Sequence, residues 1–230
     1  MTTIEDAKRK AVLKALEPIK SGWVIGLGSG TTMALMVAEL ARFARGRRLD
    51  LSVVPTSHQI ENLAILHSLR ILSLNEAVTI DYAIDGADQV EVPGLNLIKG
   101  GGAAMFREKV VDSAAHRVAI VVDERKLTKH LGQKQPIPLE VSPFAERFVQ
   151  TRVTRMGGHA RLREGTGKVG PTVTDSGNLI LDADFGKLEN PAALERKLKM
   201  VPGLVETGLF LNLADIVYVG RSDGSVGTLQ

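Results

Sequence analysis

Apolar residues recur every three or four positions over Ile4–Leu16, which predicts a helix that Pro18 and Ser21-Gly22 close. Trp23-Val24-Ile25-Gly26-Leu27 is a short apolar run and reads as a strand, and residues 33–44 return to helical spacing. The alternation continues with a strand at 51–54, a helix over 57–70, a strand at Ile71-Leu72 and another over 79–84. Val90-Glu91-Val92 and residues 95–98 flank Pro93-Gly94 as a short hairpin. Residues 103–115 form a helix, and 118–122 a continuously apolar, buried strand. Strands alternating with helices predict a Rossmann-like open, mostly parallel sheet.

From about Gly132 the pattern changes to strand (137–141), helix (143–156), strand (160–163), strand (179–183), helix (191–200) and strand (205–208). That order is the split βαβ arrangement of ferredoxin-like domains. Residues 215–219 then read as a strand rejoining the first sheet. The predicted class is α/β: a Rossmann-like domain at 1–131 and 208–230 with an inserted α+β ferredoxin-like domain at 132–207. The insertion shows no cluster of chemical groups, and packing between domains or subunits is its expected use.

The chemistry concentrates at the carboxyl ends of the first-domain strands, where ligands bind in open α/β sheets. Gly28-Ser29-Gly30-Thr31-Thr32 joins a strand to a helix and has the form of a phosphate cradle. It lacks the lysine of a P-loop and has Thr31 where a dinucleotide fingerprint needs its third glycine. Its surplus of hydroxyls fits the terminal phosphate of a small molecule, while an ordinary tight turn with Thr31 capping the helix is the competing reading. Asp85-Gly86-Ala87-Asp88 ends a strand at the same edge, and the hairpin returns the chain to Lys99.

Lys99 opens Lys99-Gly100-Gly101-Gly102, whose three glycines are costly in chain entropy and give a backbone that approaches a ligand closely. They are expected at the positive N-terminal end of the following helix. Helical spacing places Glu108 on a stripe with Ala104, Val111 and Ala115, facing the core, and leaves Lys109, Asp112 and His116 in water. A desolvated carboxylate has a raised pKa, which suits Glu108 to general-base work. Two acids, a lysine and that glutamate at one sheet edge make a constellation for moving protons. Lys126 follows another strand end and suits a phosphate contact or a solvated charge cluster, and His58 is a weaker candidate after the second strand.

Composition acts by exclusion. With 29 basic against 26 acidic residues the net charge is +3, too small to argue for nucleic acid. There is no cysteine, so disulfides, thiolate metal sites and thiol nucleophiles are absent, and the five histidines show no ligand spacing. No apolar run approaches the length of a membrane span, and a cytoplasmic protein is expected.

Gly26-Leu27-Gly28-Ser29-Gly30-Thr31-Thr32, Pro55-Thr56-Ser57, Asp85-Gly86-Ala87-Asp88, residues 99–109 and Pro136-Ile137-Pro138-Leu139-Glu140-Val141 together resemble the type A ribose-5-phosphate isomerases. Asp175-Ser176-Gly177-Asn178 and Pro202-Gly203 extend the resemblance into the insertion, and Gln89 stands where that family commonly has Glu. The resemblance implies an aldose-ketose isomerase of the pentose phosphate pathway with no metal or cofactor. It implies that Glu108 moves the proton between C2 and C1, and that Asp85, Asp88 and Lys99 bind the sugar, assist ring opening and steady the enediolate. By the same resemblance Ser29, Gly30, Thr31, Thr32, Gly86, Ala87, Gly100, Gly101, Gly102, Lys126 and Lys8 belong to the substrate and phosphate contacts. A homodimer or homotetramer is implied too. Two other classes compete: a non-catalytic sugar-phosphate-binding module, which has no need of a desolvated base, and an NAD-linked oxidoreductase, disfavoured by Thr31 and by the lack of an acid after Val54.

Overall fold

The computed structural model describes residues 4–77, 79–167 and 169–230. In chain order the elements begin with α1 (Ile4–Leu16), β1 (Val24–Leu27), α2 (Thr31–Arg47), β2 (Ser52–Pro55), α3 (His58–Leu66), β3 (Arg70–Ile71) and β4 (Tyr82–Asp85). Next come β5 (Gln89–Glu91), β6 (Leu97–Ile98), α4 (Met105–Ala114), β7 (Val118–Asp123) and β8 (Leu127–Thr128). The chain finishes with β9 (Ile137–Val141), α5 (Glu146–Arg155), β10 (His159–Leu162), β11 (Leu179–Asp184), α6 (Pro191–Lys199), β12 (Leu204–Thr207), β13 (Leu209–Phe210), β14 (Ile216–Gly220) and β15 (Val226–Leu229).

Two compact units divide it. The first comprises Met1–Ala87, Arg107–Lys126 and Leu213–Gln230, and the second Asp88–Phe106 and Leu127–Asn212. The first is built on a seven-stranded sheet ordered β15-β14-β7-β4-β1-β2-β3, parallel except for β15. From β1 the chain steps outward to β2 and β3, then crosses to β4 and steps outward the other way. The switch point therefore lies between β1 and β4, where an open α/β sheet leaves a crevice beyond its strand ends. Both faces of the sheet are covered, so β7 is apolar and buried throughout Val118 to Val122. Ile25, Leu27, Met36, Leu40, Val53 and Tyr82 are core members, and burial raises the Tyr82 phenol well above its usual pKa.

The second unit holds two sheets. β10-β11-β9-β12 is antiparallel throughout, in the ferredoxin-like order. Ile137, Leu139 and Val141 point into its apolar core with Val149, Val153 and Leu198 from α5 and α6, so Pro138 and Glu140 face the other way. The other sheet, β13-β6-β5-β8, was not visible in the periodicity, because its strands are two or three residues long. It explains why the compact units divide differently from the expected 132–207 insertion: the hairpin β5-β6 closes its ladder on β8 and β13, which carries residues 88–106 into the second unit.

Three expectations for the helices are corrected. Helix α4 starts at Met105 rather than at 103, because Ala103 is left-handed (φ 58°) and its N–H closes a turn on the Gly100 carbonyl at 3.1 Å. The glycines thus form a turn of their own, separated from the helix. Asp112 stands four residues after Glu108, so helical spacing itself puts it on the buried face with Glu108 and Val111, at 3% exposure, rather than in water, while Val110 is exposed. The helix expected over 143–156 opens with a 3-10 turn at Pro143–Ala145, and α3 stops at Leu66, just before Ser68 turns left-handed (φ 58°). Among the described residues no helix is long and apolar enough to cross a membrane.

Candidate active site

In the first unit, β1 and β4 end beside each other, with Leu27 paired to Ile84. Gly28 donates its N–H to the Ile84 carbonyl at 2.9 Å, and a Cβ there would lie 1.9 Å from Oδ1 of Asp85. Only glycine lets the turn pass over that carboxylate. Asp85 is fully buried, and its Oδ1 accepts the N–H of Gly86 at 2.6 Å. Gly26 is equally constrained, since a Cβ would press on Val111 of α4 at 2.6 Å. This brings α4 tight against β1 and carries Glu108, 4% exposed, to the strand ends. There Oε1 of Glu108 accepts the N–H of Ser29 at 3.2 Å.

The Ser29 hydroxyl meets Thr56 Oγ1 at 2.8 Å and Ser57 Oγ at 2.7 Å, beyond the end of β2. Thr56 Oγ1 donates to the Leu27 carbonyl at 2.9 Å, and Ser57 caps α3 by accepting the Ile60 N–H at 3.4 Å. Gly30 is the N-cap of α2 with φ 101°, and Thr31 and Thr32 are the first residues of that helix. Thr31 is therefore not its cap. Lys8 reaches Asp123 at 3.5 Å, and Arg125 grips the same carboxylate through Nε at 2.8 Å and Nη2 at 3.0 Å. The guanidinium holds the Asp123 pKa below the usual carboxylate range, against the opposing effect of burial. Lys126 is half-buried in the turn after β7. His58 is a surface residue that meets Glu61 at 3.2 Å.

The second unit holds the remaining candidates. Asp88 donates its N–H to the Ile98 carbonyl at 2.9 Å, and its Oδ2 accepts the Gly101 N–H at 2.8 Å. A Cβ on Gly101 would stand 2.9 Å from the same carboxylate. Gly100 has φ 107°, and a Cβ on it would strike Met105 Sδ at 2.4 Å. The N–H of Lys99 binds the Gly208 carbonyl at 2.9 Å; its side chain is 3% exposed, with Nζ 5.3 Å from the centroid of the buried Phe210 ring. Such a placement steadies an ammonium through the ring's negative face.

The first unit thus brings together Ser29, Asp85 and Glu108, and the second Asp88, Lys99 and the glycine turn. A sequence model of ribose 5-phosphate isomerase A (phosphoriboisomerase A) matches residues 52–224. A ribose-5-phosphate isomerase A of Methanothermobacter thermautotrophicus is 45% identical over 97% of this chain and 98% of its own length, and one of Pyrococcus horikoshii is 43% identical over 96% of each. The chain belongs to the ribose 5-phosphate isomerase A family. Among solved isomerases of this kind, that of Methanocaldococcus jannaschii superposes with a TM-score of 0.94 at 42% identity, over 99% of this chain and 100% of that one. A D-ribose-5-phosphate isomerase in complex with phospho-erythronic acid matches with the same score and identity over 99% of each chain.

Several positions beside these candidates carry little signal in the sequence. Thr56 and Ser57 were visible only as part of a motif, and their bond to Ser29 depends on β1 and β2 being neighbours. Asp123 lay in a charged run that reads as solvated surface, yet it is 2% exposed. Phe210 carried no signal at all, since one aromatic residue in an apolar stretch reads as core.

Proposed function

We propose that Glu108 is the base that carries the proton between C2 and C1 of the open-chain sugar phosphate, with Asp85, Asp88 and Lys99 binding the sugar, assisting ring opening and stabilising the enediolate. The chain is an aldose-ketose isomerase that interconverts D-ribose 5-phosphate and D-ribulose 5-phosphate, in the pentose phosphate pathway. A proton next to a carbonyl is weakly acidic, so its removal needs a base and a partner for the developing oxyanion. The observation that carries the assignment is the setting of Glu108: a nearly buried carboxylate, aimed by the Ser29 amide, at the ligand-binding edge of the sheet.

Lys99 and the turn from Gly100 to Gly102 suit the oxyanion, and loss of one such donor costs on the order of 3 kcal/mol in barrier. The Gly101 amide is engaged by Asp88, so its part is to hold that carboxylate in place. Ser29, Gly30, Thr31 and Thr32, with Lys126 and Lys8, suit the phosphate, while Gly86 and Ala87 line the sugar. Remote phosphate binding would hold the reacting carbons in register. We also assign self-association to the chain, on the exposed apolar side chains Phe144, Phe148 and Met200. A single monomer mass by light scattering would refute that.

Incubation with ribose 5-phosphate in deuterated water containing EDTA tests the chemistry. Ketose should form, with deuterium entering the sugar in wild type but not in Glu108→Gln. Deuterium uptake at the wild-type rate by the variant would remove Glu108 from its role.

A further inference from the structure

The ferredoxin-like sheet sends one side chain into the glycine turn. Arg163 follows β10, and its backbone is tied on both sides, N–H to the Ile180 carbonyl at 2.8 Å and carbonyl to the Thr172 N–H at 2.8 Å. Its guanidinium is fixed in turn by Asp182 of β11, through Nε at 2.9 Å and through Nη2. This two-point grip sets the plane of the fork. The remaining nitrogen, Nη1, donates to the carbonyl of Gly100 at 2.8 Å and to that of Gly101 at 3.1 Å.

The carbonyl of Gly100 and the N–H of Gly101 belong to one rigid peptide plane. Arg163 holds the carbonyl end of it and Asp88 the amide end. Asp182, Arg163, the peptide and Asp88 therefore form a continuous chain of charge-assisted bonds, in which a cation on the carbonyl strengthens the amide as a donor. The turn needs such a clamp. Three glycines in a row have little intrinsic preference for one conformation, and Lys99 and Asp88 flank or touch them.

We propose that Arg163, oriented by Asp182, is a positioning residue for the isomerase reaction: it fixes the Gly100-Gly101 peptide and, through it, the carboxylate of Asp88 and the course of the chain after Lys99. This rests on the assignment of Asp88 and Lys99 to the reaction. It also gives the inserted domain a part in the chemistry without contact with the reacting atoms.

Arg163→Ala tests it, with Asp182→Asn as a second variant that keeps the guanidinium but loosens its grip. Misplacement of a reacting group by about 1 Å costs on the order of 100-fold, so kcat should fall about 10- to 100-fold in Arg163→Ala, with a smaller rise in KM from the looser hold on the sugar. Affinity for phospho-erythronic acid should fall in step with kcat/KM, and millimolar guanidinium, but not methylammonium, should restore part of kcat. A lowered melting temperature with unchanged kcat per folded molecule would overturn the proposal, as would a loss of kcat that guanidinium does not touch. If Arg163→Ala does not fold, unchanged kcat in Asp182→Asn overturns it and a reduced kcat supports it. Inactive wild type would instead refute the isomerase mechanism itself.

Discussion

At the residue scale, glycine and carboxylate positions depend on each other. Gly28 is open because Asp85 occupies the space a Cβ would take, and Gly101 because Asp88 does. Each acid thus sits against a glycine that no other residue can replace without displacing it. Glu108 is of another kind: it is held by an amide, not by a close approach, so Glu108→Gln keeps the local packing. We expect that variant to retain phospho-erythronic acid binding and the wild-type melting temperature while kcat drops on the order of 1,000-fold, the scale of a lost general base. Isothermal titration and a ketose assay together check it. Asp123 makes a prediction in pH. Arg125 lowers its pKa in the folded state, so its ionised form adds stability above the unfolded value of about 3.9 and loses it as pH falls through the lower, folded value. The difference in urea midpoint between wild type and Asp123→Asn should be constant at neutral pH and close in acid; a gap that widens in acid would contradict the pairing.

At the element scale, helix caps and strand ends decide what reaches the site. Ser57 is both the N-cap of α3 and a hydrogen-bond partner of Ser29. Ser57→Ala should cost about 1 kcal/mol of stability as a lost cap, read as a lower urea midpoint at unchanged m-value, and should weaken substrate binding by loosening Ser29. Ser57→Ala with an unchanged midpoint would show that the cap carries no energy. Most long elements were legible because their apolar spacing is regular: α1 matches its expected bounds, and β9 does too. Asp112 lies one turn after Glu108 on α4, so the helix period, not the position of the first residue, puts it on the buried face. Strands β5, β6, β8 and β13 were mostly unreadable as a sheet, since two or three residues hold no periodicity and their pairing joins segments far apart in sequence.

For the whole molecule, ligand binding and stability are linked. A ligand that binds only the folded chain adds about 2.7 kcal/mol at a hundred times its Kd, and a domain of this size gains roughly 2–4 °C per kcal/mol. Saturating phospho-erythronic acid should therefore raise the melting temperature by several degrees, in wild type and Glu108→Gln alike. No shift in either would remove sugar-phosphate binding from the proposal.

Much of this was present in the linear chain. Regular apolar spacing specified a parallel sheet with a ferredoxin-like companion, because burial of one face is a local property of the residues that form it. Ser29, Asp85, Asp88, Lys99 and Glu108 could be named as candidates because glycine turns and strand ends mark where backbone is open to a ligand. Only the tertiary structure decided which atoms hold them: Ser29 on Glu108, Thr56 and Ser57 on Ser29, Phe210 under Lys99, Arg163 on the glycine turn. Those partners lie tens of residues away in the chain, and hydrogen bonds at 3 Å depend on which strands become neighbours, a property no local pattern encodes.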